Sequence, residues 1–184
     1  MNYKTHTITT LTATSFLTLY TPIEATVPLF IGAALGGLFP DIDEPNSFIG
    51  QKNTVKIFNK RFGLSSLIKS IFGHRGLTHS ILAMIVAFIP YFYLTDYSSL
   101  DTNSLLYLLC SQFLLGFGFG YIFHILGDLI TVQGVPLFLP FSKVKIKIPL
   151  FYVNSPTEKF VFFLSGLLLI YSIYLHISNF VTQI

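Results

Sequence analysis

The chain has 184 residues, 52% apolar and only 10% charged, with a formal net charge of +3. Soluble domains carry about 25% charged residues, so a chain wholly in water is excluded, and disorder with it. A single cysteine, Cys110, excludes a disulfide framework, and thinly spread basic residues make no nucleic-acid surface. What remains is one integral membrane domain, with membrane lipids as its expected partners.

Apolar runs then give the elements in chain order. The first, residues 5–20, is Thr-rich and moderately apolar. A lysine before it imitates a secretory signal, but no small-x-small cleavage site follows, so the segment is read as part of the mature chain. The second, residues 25–39, is Gly-rich and ends at Pro40. Residues 47–72 interleave apolar and basic side chains and read as an interfacial amphipathic helix; a loop packed on the helix ends is the alternative. The third run, residues 80–94, contains Pro90, and the fourth, residues 104–125, has no charge before His124. The fifth covers residues 160–177. The expected fold is an all-α polytopic bundle of about four to five spans. A span needs about 20 helical residues, so the shorter runs must tilt, pack inside, or enter without crossing.

If the five spans alternate, every Lys and Arg falls on one side, and the loop 95–103 on the other side holds only Asp96 and Asp101. The basic side is expected to be cytoplasmic, with the N-terminus there.

Charged groups at membrane depth are costly and usually functional. Asp41 and Asp43 follow the second run, and Pro45 disfavours helix at Glu44. An extended D-x-D offering both carboxylates to one ion is expected, against simple helix capping. His74 and His79 flank a glycine before the third run, with Arg75 between them. Imidazole is the commonest side-chain metal ligand, and guanidinium suits phosphate or carboxylate. Thr78 or Ser80 can cap the helix that follows. His124 and Asp128 share a helix face one turn apart, as metal ligands or as a hydrogen-bonded pair. His6 opens the first run.

The alternating topology brings His6, Asp41, Asp43, His74, His79, His124 and Asp128 to one membrane face from separate spans. These seven are the expected metal ligands, and His176, near the opposite end, is given no role. Carboxylate and imidazole without thiolate suit Zn²⁺, with Mn²⁺ or Fe²⁺ as alternatives. Seven donors exceed one tetrahedral zinc, so two ions are expected, with an aspartate bridging them and a bound water made acidic. Asp43, Arg75 and His79 are the expected catalytic groups, with Lys52 as a further cation for an anionic group.

The runs LFPDIDEPNSFIGQK, FGHRGLTHS and GYIFHILGDLITVQGVPLFLPF resemble the YdjM-like (LexA-regulated) inner-membrane metal-dependent hydrolases, in order and spacing from His6 to about Pro149. That family often has His where this chain has Glu44, so no ligand role carries to position 44. The resemblance implies a polytopic protein of the bacterial inner membrane with metal-dependent hydrolase activity. The ligand set is also similar in kind to that of zinc-dependent phospholipase C, in ligands rather than fold. The expected substrate is a phosphoester of a lipid or small amphiphile at the cytoplasmic head-group level. The competing readings are an ion or metal transporter, ranked lower because the mid-span sequences look apolar, and a structural stress-response protein whose metal staples helices.

Overall fold

The computed structural model describes residues 1–44, 47, 54–57, 60–63, 76–97 and 101–182. Among these are α1 (Tyr3–Tyr20), α2 (Val27–Gly36), α3 (Ile81–Tyr97), α4 (Leu105–Leu129) and α5 (Pro156–Thr182). Short 3-10 turns occupy Phe39–Asp43 and Leu77–His79.

Two helices, α4 and α5, are long and apolar enough to cross a membrane. This is fewer than the four to five expected. α2 has ten residues, about 15 Å at 1.5 Å per residue, against a hydrocarbon core of about 30 Å. α3 is apolar but short. α1 is diluted by its threonines, and it buries them: Thr5, Thr10, Thr12, Thr14 and Thr18 all face inward. The amphipathic helix expected within residues 47–72 is also corrected. Thr54–Ile57 (β1) and Lys60–Gly63 (β2) form an antiparallel hairpin, with Thr54 opposite Gly63 and Ile57 opposite Lys60. Three of the four β1 residues are β-branched, which favours strand.

α4 is the central element and touches α1, α2 and α3, while α5 lies outside against α1. The α2–α4 contact is backbone on backbone. A Cβ on Gly32 would stand 2.0 Å from the Phe113 carbonyl oxygen, and one on Gly120 would stand 2.1 Å from that of Ala33. Gly36 and Gly116 are equally tight. Each helix thus carries a G-x-x-x-G pair that lets the backbones meet, as apolar helices in lipid require.

α1 and α5 meet through polar groups. The Thr12 hydroxyl donates to the Ser165 carbonyl at 2.9 Å, and that of Ser172 to Ser15 Oγ at 2.8 Å. His176 Nε2 lies 3.1 Å from Thr18 Oγ1. At the other end, buried Glu158 accepts from the backbone N–H groups of Asn2 and Asn154, tying the start of α1 to the start of α5. The segment after α4 folds back beside it. Val135 pairs with Ile146, and Gly134, at φ +64°, closes the turn from Thr131 that precedes this pair. Val135 then joins Ala87, Tyr121 and Ile125 in a small apolar core.

Candidate metal centre

The G-x-x-x-G contact delivers the end of α2 to the last turns of α4. There the Gly37 carbonyl accepts a hydrogen bond from His124 Nδ1 at 2.7 Å. The chain then turns through Phe39–Asp43, with Pro40 in its first turn, where a fixed φ suits helix entry. The D-x-D is therefore not extended. In a turn of three residues per revolution, side chains two apart diverge. Asp41 and Asp43 consequently address opposite edges of one imidazole, that of His79.

Asp41 Oδ1 lies 3.7 Å from His79 Nε2 and 3.7 Å from His124 Nε2. Asp128 Oδ2 lies 3.6 Å from His79 Nε2 and 3.9 Å from His124 Nε2. One ligand atom from each of Asp41, His79, His124 and Asp128 falls within a 4.8 Å cluster. His79, His124 and Asp128 are fully buried, and Asp41 is half-buried.

These separations exceed hydrogen-bonding distance but suit a shared cation. Bonds of about 2.0–2.2 Å in a tetrahedron place ligand atoms about 3.4 Å apart. The tautomers agree. The Gly37 carbonyl can only accept, so His124 carries its proton on Nδ1. The Thr78 hydroxyl donates to Asp43 Oδ2 at 2.8 Å and lies 3.0 Å from His79 Nδ1. Having donated, it accepts from His79, whose proton is therefore also on Nδ1. Both imidazoles turn a bare Nε2 inward, and neither atom has a hydrogen-bond partner among the described residues. This is how metal-bound histidines are held, with the second nitrogen fixed by an outer partner.

Asp43 stands behind this set. Its Oδ2 also accepts from the Gly76 N–H at 3.2 Å and lies 3.7 Å from His79 Nδ1. Burial raises its pKa, but the His79 imidazole beside it and the hydrogen bonds from Thr78 and Gly76 outweigh this and hold the carboxyl below its usual range. His6 stands on the far side. Its ring stacks on His124 with centroids 3.8 Å apart, and its Nε2 lies 3.1 Å from Asp128 Oδ1. The Met1 amino group meets the same oxygen. Of the seven expected ligands, four converge, His6 and Asp43 flank them, and His74 lies outside the described residues, as do Arg75 and Lys52. His176 is at the opposite end, as read.

Thr78 and the Gly37 carbonyl were missed as orienting groups. Of the two expected caps, Thr78 or Ser80, it is Ser80 that fills the role, accepting from the Ala83 N–H at 3.2 Å, which leaves Thr78 to the site. The signal for Thr78 was its place directly before a candidate ligand histidine. A main-chain carbonyl leaves no signal, but the paired G-x-x-x-G motifs that place it were visible.

A sequence profile described as YdjM inner membrane protein matches residues 1–181. The inner membrane protein YdjM of Escherichia coli (strain K12) is 39% identical over 108 residues, 59% of this chain and 47% of that protein. The protein of the same name from Shigella flexneri gives the same values. The uncharacterized protein YvsG of Bacillus subtilis (strain 168) is 33% identical over 137 residues, 74% of this chain and 71% of that protein. The alignment thus spans about half the length of the two YdjM proteins. No solved structure matches.

Proposed function

The chain belongs to the YdjM inner membrane protein family, and on that premise we propose that it is a membrane-embedded, metal-dependent hydrolase. Its substrate is a phosphoester of a lipid or amphiphile at the cytoplasmic head-group level. The supporting observation is the four-atom cluster of Asp41, His79, His124 and Asp128, with two bare Nε2 atoms turned inward. Zinc is the expected ion, with manganese or iron as alternatives. A two-ion arrangement draws further donors from His6, Asp43 and His74. A divalent ion supplies Lewis acidity and lowers the pKa of water. The chain's own residues do the rest. His79 and His124 are locked in one tautomer, Asp128 is held by His6, and Asp43 accepts a hydrogen bond from the Thr78 hydroxyl. The Arg75 guanidinium is suited to hold an anionic phosphoryl group.

Metal analysis of the purified protein, with phosphate release from lipid vesicles, tests this. Bound divalent metal and turnover are expected, and both should be lost in His79→Ala and Asp128→Ala. Metal-free active protein, or full activity in those variants, overturns the reading.

One observation favours transport as a second reading. The apolar mid-span sequences had argued against it, yet His6, Thr10, Thr14 and Thr18 run down α1 at four-residue spacing, all buried. They end at His176 beside Thr18, and Thr10 Oγ1 has no hydrogen-bond partner among the described residues. Cation or proton flux in proteoliposomes, abolished by Thr10→Val, would put transport first. Impermeable vesicles would dismiss it.

A further inference from the structure

Beside the metal centre an apolar cavity of ≈ 510 Å³ opens between the Phe39–Asp43 turn, α3 and α4. Three walls reach the metal centre, each by a residue next to a site residue. Ile42 sits between Asp41 and Asp43, Thr78 precedes His79, and Tyr121 lies one turn before His124. The Tyr121 hydroxyl donates to the Thr78 carbonyl at 2.6 Å, so these two walls are joined at the polar end. Away from that end the lining is hydrocarbon. Leu82, Val86 and Pro90 run along α3, about 12 Å of helix, facing Phe117 on α4. Leu82 and Val86 are exposed, so the cavity opens sideways to whatever surrounds the helices.

We infer that this cavity holds one acyl chain of a membrane lipid, with the lipid's phosphate directed to Asp41, His79, His124 and Asp128. The occupant must be apolar along Leu82–Pro90 and end in a group that suits a cation site, which describes a phospholipid. The volume lies within the roughly 300–1,000 Å³ of single-ligand sites, and a laterally open apolar wall at membrane depth faces lipid. A second apolar hollow, between Ile8 on α1 and Phe163 and Leu167 on α5, has no His, Asp or Glu among the described residues that line it and marks the level of unspecific lipid contact. The identity of the head group rests on the hydrolase reading, whereas the position of the chain does not.

The test is photolabelling of the full chain in phosphatidylethanolamine–phosphatidylglycerol vesicles doped with a phosphatidic acid that carries a diazirine on its acyl chain, followed by peptide mapping. Labels are expected on the α3 stretch Leu82–Pro90 and around Phe117, well above those around Leu167. Val86→Trp and, as a milder filling, Ala83→Leu should reduce the α3 and α4 labels to the Leu167 level. Both should keep the bound metal and the labels on α5, which shows that they fold. Even labelling of both hollows, labelling indifferent to both variants, or a cross-linked second copy of the chain at α3 overturns the inference. Confined labelling with no phosphate release from any lipid supports the chain site and removes the hydrolase reading instead.

Discussion

His79 is gripped at both ring nitrogens, and this division of labour belongs to single residues. Nε2 faces the acids of two other elements, and Nδ1 is fixed by a hydroxyl that is itself fixed by Asp43. Removing that hydroxyl leaves the ligand set intact but frees the ring to rotate or change tautomer. Outer partners of this kind typically change metal affinity about 10–100-fold. Thr78→Val is therefore expected to weaken metal binding by about that factor, measured by competition with a chromogenic chelator, while Thr78→Ser restores it. Equal affinity in Thr78→Val and the parent chain would leave Thr78 with no orienting role. The sequence announced the histidines and acids because charged groups are scarce in so apolar a chain. It did not announce the separate duties of Asp41 and Asp43. Those depend on a 3-10 turn with Pro40 in its first turn, where Pro45 had suggested extended chain.

Between elements, the decisive contact is that of α2 with α4. Gly32, Gly36, Gly116 and Gly120 have no room for a methyl group, because what it would meet is backbone. Overpacking a fitted contact costs about 1–3 kcal/mol, and a backbone obstacle cannot rotate away. Gly120→Ala is expected to destabilise the fold by an amount in that range, read as a lower unfolding temperature in detergent, and to weaken metal binding as well, since the Gly37 carbonyl would retreat from His124. Gly166→Ala, where nothing lies within 4 Å of the new carbon, should leave both unchanged. Similar melting and similar metal affinity in the two variants would mean that the contact does not set the site. The order of the helices was legible because apolar runs and breaks are local. The β-hairpin was not, since its interleaved apolar and basic residues satisfy helical and strand patterns alike. Nor was the fate of the α1 threonines. A hydroxyl that donates to a carbonyl of its own helix, as Thr14 does to Thr10 at 2.9 Å, can be buried, so polarity alone did not mark the outer face.

Across the whole molecule, the candidate metal centre and five of the described lysines share one end. Asn2 and His6 tie the start of α1 to the start of α5 and the end of α4. Lys4 and Lys159 are exposed on those segments, and Lys143, Lys145 and Lys147 on the stretch whose Ile148 and Leu150 bond back to the end of α4, while Asp96 and Asp101 lie at the end of α3 and before the start of α4. Such asymmetry orients a membrane protein with its basic end inward. In a Cys110→Ser background, Lys145→Cys is expected to react with a membrane-impermeant maleimide only after the cells are permeabilised. Asn103→Cys, at the other end of α4 and exposed, should react on intact cells. The reverse pattern would place the metal centre outside the cytoplasm and remove inner-leaflet lipids as substrates. Reaction of both residues on intact cells would mean that α4 does not cross, and the short α2 and α3 would then belong to a domain resting on the membrane. The expected pattern would leave α4 as a full span with the His–Asp cluster at its inner end, the level at which the proposed lipid phosphoester would reach a cation held by Asp41, His79, His124 and Asp128.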